Sequence, residues 1–448
     1  MGGRVPPLLF LALLRSVTGF TSGGQKPPPA NKPARSSASS QESQPDLNAL
    51  MQKAGDALER RDFQAALDPL KTVTAAAPDT AEAWFYLGYA YHGLHQDDDA
   101  RTAYEKSVAL KPELYQAQLD LGLLLLAHQD AQDALPHLEK AVALKPEAAR
   151  AHLNLGAVLK ADGQAQPAEA EFRKALQFDP KLDAAAFELG QAELKNKEYL
   201  AAAADFEKAI TINPANAEAR LGAASAYEGG GRIPQAEQCF EEYLKLRPSD
   251  NAVRFHLAQL YFRENKPDGA LAQLQHIEQA QADFPGLDSA LGDAYAQAGK
   301  FDQAAAYYRK ALQGRAAGPA LADLHRALAA ALVKDGKMAD AESEFRQALQ
   351  LDPNNVDALK GLEEAVYLQG HWADAVPILQ HLVALPASPP GFYFLLATCY
   401  DHLRARKQAL DAYEQFLQRA NGANPDQEWQ AQQRAKLLSR ELGKPLKQ

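Results

Sequence analysis

Cysteine is nearly missing from this chain: Cys239 and Cys399 are the only two in 448 residues. Two thiols so far apart make neither a disulfide framework nor a cysteine-based zinc site. A chain of this length does not need disulfides, so their scarcity does not decide the compartment. Also missing are a Walker A loop, a dinucleotide glycine fingerprint, a His-Glu-x-x-His motif and a Cys-x-x-Cys pair. Gly229-Gly230-Gly231 reads as a turn after a helix, not as a phosphate loop. With no nucleophile, base and oxyanion donor in one pattern, neither an enzyme nor a bound cofactor or metal is expected. Basic charge is scarce in the body: residues 47–448 carry 42 Lys and Arg against 55 Asp and Glu, a net of −13. Such a body repels phosphate backbones and anionic headgroups, so nucleic acid is not an expected partner. The acidity favours basic partners weakly.

The N-terminus is made differently. Arg4 precedes the short apolar run Leu8-Leu9-Phe10-Leu11-Ala12-Leu13-Leu14, and Val17 and Gly19 suit cleavage before Phe20. Residues 1–19 therefore read as a signal peptide, and the product as periplasmic or secreted. The run falls short of the ~20 residues a membrane span needs, so no span is expected after cleavage. No Cys follows it to carry a lipid anchor. Residues 20–46, with Pro27-Pro28-Pro29 and Ser36-Ser37-Ala38-Ser39-Ser40, hold almost nothing to bury and read as a disordered tether.

From Leu47 the sequence repeats every 34 residues. Repeats begin at Leu47, Ala81, Tyr115, Ala149, Asp183, Ala217, Asn251 and Pro285. Three inserted residues, Pro319 to Leu321, precede three more repeats at Ala322, Val356 and Pro390, making eleven. Eight contiguous repeats thus occupy 47–318, the insertion 319–321, and the rest 322–423. Position 20 is Ala in all eleven, from Ala66 to Ala409. Position 8 is Gly or Ala in all but one, where Glu363 stands. Position 24 is always large and apolar (Leu70, Tyr104, Phe172 and Phe206 among them), and position 7 is Leu except at Lys53 and Ala223.

These choices describe an antiparallel pair of helices. Positions 4, 7, 8 and 11 share one helical stripe, and 20, 24 and 27 share another. Small residues at 8 and 20 let two backbones approach, and large ones at 7 and 24 fill the space beside them. Gly163, Gly231, Gly299, Gly336 and Gly370 at position 15 suit a left-handed residue ending the first helix. Pro112, Pro146, Pro180, Pro214, Pro248 and Pro353 at position 32 stop the second. One such hairpin cannot bury its apolar face alone, so neighbours must stack.

The run Ala81-Glu82-Ala83-Trp84-Phe85-Tyr86-Leu87-Gly88-Tyr89-Ala90-Tyr91, with Ala100, Tyr104 and Pro112, resembles the tetratricopeptide repeat family, in the manner of an exported bacterial member. The resemblance covers residues 47–423. It implies an all-α, right-handed α-solenoid of eleven hairpins, with a concave groove lined by the first helix of each pair. Departures gather late: Ala282, Ala316, Ala387 and Asn421 replace Pro at position 32. Gly314 to Pro319 is where the array is expected to bend. Residues 424–448 read as a capping helix and tail, with Ala431, Ala435, Leu438 and Leu442 on one face and Gly443 and Pro445 as its stop.

The resemblance further implies that positions 5, 9 and 12 face the groove. Phe85, Tyr89, Leu119, Leu123, Leu153, Phe187, Leu194, Phe255 and Phe262 are then the candidate contact residues, an apolar trough suited to an amphipathic helix or peptide. The same positions can serve packing between repeats alone. Later repeats turn polar there, at Ser289, Arg326, Lys360, Asp293 and Glu364. Met51/Gly55 and Leu153/Ala157 do not supply the Lys and Asn of a chaperone-tail clamp, and only Asn154 fits an asparagine ladder. A non-catalytic scaffold binding a protein segment is the first expectation. A carbohydrate-binding accessory to polysaccharide export, stacking groove aromatics on sugars, is the alternative. His92, His95 and Asp97-Asp98-Asp99 form the one metal-like cluster, but His95 falls at the turn and the acids at a helix start, where they complement the dipole. Both cysteines read as small buried hydrophobes.

Overall fold

A computed structural model describes residues 46–314, 319–386 and 388–443. Residues 1–19, expected to be a signal peptide, the expected tether but for Asp46, residues 315–318 of the junction, Ala387 and the tail after Gly443 lie outside the described residues. Among those described there are 23 helices and no strand. They form a solenoid of paired helices in two compact units, one ending at Leu246 and one beginning at Arg247.

Unit 1 holds the first six repeats, whose boundaries follow the period residue by residue. The first helices are Leu47–Glu59, Ala81–Gly93, Tyr115–Ala127, Ala149–Ala161, Asp183–Lys195 and Ala217–Gly229. The second helices are Phe63–Ala76, Asp97–Leu110, Ala131–Leu144, Ala165–Phe178, Tyr199–Ile212 and Ile233–Leu246. Each pair is joined through a left-handed residue at position 15, and this holds in every repeat of the chain. Gly fills five of the eleven; Arg61, His95, Gln129, Lys197, Asn265 and Arg404 take the same conformation in the others, at φ of 56° to 66°.

The packing rule is visible at the glycines. A Cβ on Gly88, Gly122, Gly156 or Gly190 would lie 2.5–3.0 Å from the position-24 side chain of its own repeat. Phe206 has glycine on two sides, since a Cβ on Gly222 of the next repeat would also lie 2.5 Å from its ring. The position-20 alanines are buried throughout, as are the position-24 side chains. The core is therefore a ribbon running along the repeats rather than a single central cluster.

A second periodic device lies at position 4. Trp84, Gln118, His152, Arg220 and Arg254 each reach back to the backbone carbonyl of the preceding position-32 proline, at 2.8–3.0 Å. Three of them also meet a polar side chain at position 23 of their own repeat: Gln118 with His137, His152 with Glu171, and Arg254 with Gln273. The proline ends one repeat and accepts a bond from the next.

Unit 2 begins with the helices Asn251–Arg263 and Pro267–Gln279. Its second hairpin, Leu287–Gln297 with Phe301–Leu312, starts two residues later than the period predicts. Gly286 there is left-handed (φ 81°), and Phe284 packs on Phe255 with ring centroids 4.9 Å apart. The inserted residues do not break the stacking. They form the first turn of the 16-residue helix Pro319–Lys334, which packs on Phe301–Leu312 and on Met338–Leu351. The junction where a bend is expected, Gly314 to Pro319, falls largely on residues 315–318, outside the described residues. Val356–Leu368, Trp372–Ala384, Pro390–His402 and Arg406–Ala420 complete the repeats.

Pro425–Leu442 is the last helix of unit 2, with Ala431, Ala435 and Leu438 buried and left-handed Gly443 at its end. Arg434 clamps it to Asp401 through two hydrogen bonds.

Candidate partner-binding surface

In unit 1 the stacked first helices place Phe85, Tyr89, Leu119, Leu123, Phe187 and Leu194 at half-buried positions. Leu153 differs: it is 7% exposed and belongs to the core ribbon, leaving little surface to offer. The aromatic members are held from beneath. Phe85 meets Tyr104 at 5.9 Å, Phe187 meets Phe206 at 5.8 Å, and Tyr89 meets Phe63 edge-on at 5.8 Å. Each therefore has one face in the core and part of its surface in solvent, so packing and display are combined in one side chain. Phe255 and Phe262 lie in unit 2, where Phe255 is half-buried and Phe262 is 38% exposed. Phe262 lines a cavity of about 350 Å³ with His256, Gln259, Arg263 and Asp293.

The apolar row in unit 1 is interrupted by polar groups that single-position reading missed. Lys160 at position 12 donates to Glu188 (2.6 Å) and Gln191 (2.8 Å) at positions 6 and 9 of the next repeat. Glu188 is 2% exposed, so this ion pair fixes one first helix against the next. Asp120, near Tyr89, Tyr104 and Tyr115, is desolvated strongly enough that its carboxyl is pushed up to about 7. Glu193, buried beside Asp205 and Arg173, is likewise raised to about 7, by burial first and by the Asp205 charge second. The surface is thus apolar at its aromatic positions, with weakly acidic Asp120 half-buried among them and Glu193 buried behind.

The metal-like cluster at residues 92–99 is rearranged from its expected pairing. His95 sits left-handed in the turn, and Asp97, Asp98 and Asp99 form the first turn of Asp97–Leu110, as expected. His92 faces Asp97 at 3.4 Å, and the second imidazole at Asp97 is His128 from the next repeat, at 3.2 Å. Cys399 is buried and Cys239 only half-buried, a partial correction to the sequence reading. Burial raises both thiols, Cys239 to about 11 and Cys399 to about 12, which keeps them protonated and poorly nucleophilic. No helix among the described residues is long and apolar enough to cross a membrane.

Two models described as tetratricopeptide repeat match this sequence, one at residues 51–114, 119–183 and 289–356, the other at 193–253 and 332–389. Together they cover more than half of the chain. Tetratricopeptide repeat protein 37 of Xenopus laevis is 32% identical over 79 residues, 18% of this chain and 5% of that protein. Superkiller complex protein 3 of Homo sapiens is 31% identical over 68 residues, 15% of this chain and 4% of that protein. This chain therefore matches only a small part of those longer relatives. Among solved structures, MamA 41-end from Desulfovibrio magneticus RS-1 is similar at 26% identity and a TM-score of 0.37. That similarity covers 39% of this chain and 99% of the other.

Proposed function

Because this chain belongs to the tetratricopeptide repeat family, we propose that it is a non-catalytic scaffold that binds a helix or peptide of a partner protein. The docking surface is the row of first helices in unit 1, centred on Phe85, Tyr89, Leu119, Leu123, Phe187 and Leu194. The observation that carries this reading is the half-burial of these side chains: all six keep apolar surface in solvent, and Phe85, Tyr89, Leu119, Phe187 and Leu194 also pack against the core. An apolar strip on a rigid helical wall suits an amphipathic helix, whose own apolar face recurs every three to four residues. The acidic body suits a partner with basic residues flanking that face. The raised thiols of Cys239 and Cys399 support binding over covalent catalysis by cysteine. The reading of residues 1–19 as a signal peptide supports action in the periplasm or outside the cell.

Panning against a library of amphipathic helical peptides and a panel of glycans tests this reading. Peptides are expected to bind, and Leu123→Glu with Leu194→Glu is expected to weaken them at least tenfold while far-UV circular dichroism stays unchanged. Selective glycan binding would favour the carbohydrate-accessory alternative instead. Peptide binding indifferent to both substitutions would remove unit 1 as the docking surface.

A further inference from the structure

The second helices of repeats nine and ten bring together three groups that lie apart in sequence. Glu342 projects from Met338–Leu351; His371 immediately precedes Trp372–Ala384 with its side chain making no capping bond, and Asp374 stands in the first turn of that helix. One ligand atom from each lies within 4.8 Å of the other two, the one such group of three among the described residues. His371 Nδ1 is already 3.5 Å from Glu342 Oε2. Donor atoms around a tetrahedral zinc ion are separated by about 3.4 Å, given metal–ligand distances of ~2.0–2.1 Å. One edge of such a shell is therefore at coordination spacing, and the other two are no longer than 4.8 Å.

The surroundings hold this geometry. Gln369 donates to the same Glu342 oxygen at 3.0 Å, orienting the carboxylate as an outer partner does at metal sites. Arg346 donates to the other oxygen at 2.8 Å, and the Arg346 guanidinium with Gln369 and His371 keeps the Glu342 carboxyl below its ordinary range despite burial. The His371 backbone is pinned by its N–H to the Val366 carbonyl and by its own carbonyl, which accepts from Asp374 and Ala375. Next to it, Trp372 stacks on His402 with centroids 4.2 Å apart, so the helix start is rigid. Asp374 adds negative charge where the helix dipole would otherwise oppose a cation.

We propose that Glu342, His371 and Asp374 form a site for a divalent transition-metal ion of the zinc type, linking repeats nine and ten. One imidazole and two carboxylates suit such an ion, with the fourth position left to water. Arg346 is its built-in competitor, because it occupies the same carboxylate with a fixed positive charge.

Calorimetric titration of zinc chloride into the untagged full chain tests the site. One equivalent is expected to bind tighter than millimolar. His371→Ala and Asp374→Asn should each weaken it at least tenfold, whereas His128→Ala, at the other histidine cluster, should not. Arg346→Gln should tighten binding several-fold by freeing Glu342. Nickel, read separately, should quench part of the tryptophan emission through Trp372, and His371→Ala should abolish that quenching. The proposal is overturned if no site tighter than millimolar exists or if the site survives His371→Ala. An affinity unchanged by Arg346→Gln would likewise overturn it, by showing that Glu342 is no ligand.

Discussion

Unit 1 and unit 2 obey the same interior rule and differ on their surfaces. Both bury Ala at position 20 and a large side chain at position 24. Unit 1 keeps strict periodicity and an apolar position 5 from Met51 to Leu221. Unit 2 loosens both: one first helix shrinks to 11 residues, another grows to 16, and position 5 becomes Ser289, Arg326 and Lys360 before returning to Phe394. The stacking interface therefore tolerates changes in helix length and in groove chemistry, provided the close contact between small and large residues is kept. Repeat ten makes the point: Glu363 replaces the small residue at position 8, and a glycine stands instead at position 6, Gly361, where a Cβ would lie 2.1 Å from Phe345 of the previous repeat.

The largest expected effect comes from removing a shared large residue. Phe206→Ala should cost about 3–5 kcal/mol in urea unfolding, because it empties a site bounded by glycines of two repeats. If unit 2 shares the rule, Tyr308→Ala should cost a comparable amount there. Filling the small side comes next. Gly156→Ala forces a methyl to within 2.5 Å of Phe172 and should destabilise by about 1–3 kcal/mol. Gly55→Ala, in a first helix with nothing within 4 Å, should instead stabilise by about 0.5–1 kcal/mol. Equal effects at these two glycines would break the close-contact account.

Each unit also carries a buried acid raised to about 7, Glu193 in one and Glu363 in the other. Their carboxyls hold a proton more tightly folded than unfolded. The associated stability is therefore whole below about pH 4 and is lost as pH rises through about 7. Thermal midpoints should fall between pH 5 and pH 8, and Glu363→Gln should reduce that fall, by on the order of 1 kcal/mol at pH 8. A midpoint that rises over this range would reverse the sign of the argument. The smallest effect is local: His95→Gly should stabilise by a few tenths of a kcal/mol to about 1 kcal/mol, since φ is 59° there. Thermal melts of the two chains side by side would measure it.

What could be read from the sequence was whatever recurs. The period places the start of every first helix in unit 1, and phase-locked Gly marks the turn at position 15. Features belonging to one junction leave no periodic trace. The Lys160–Glu188–Gln191 lock joins two particular repeats, and Glu342 meets His371 across 29 residues of sequence. The late start of Leu287–Gln297 depends on one left-handed glycine, Gly286. The placement of Leu153 in the core, unlike Phe85 or Phe187 at the same repeat position, depends on local packing that position numbering does not express.

The hydrogen bonds from position 4 to the preceding proline carbonyl redefine where this chain can be cut and rejoined. A segment excised from one repeat start to the next would carry the donor at its head but leave that donor's carbonyl behind. A segment running from one left-handed turn residue to the next would keep donor, proline and carbonyl in a single piece. The transferable module, for duplication or for grafting, is thus a second helix followed by the next first helix, half a repeat out of step with the motif by which the array is recognised.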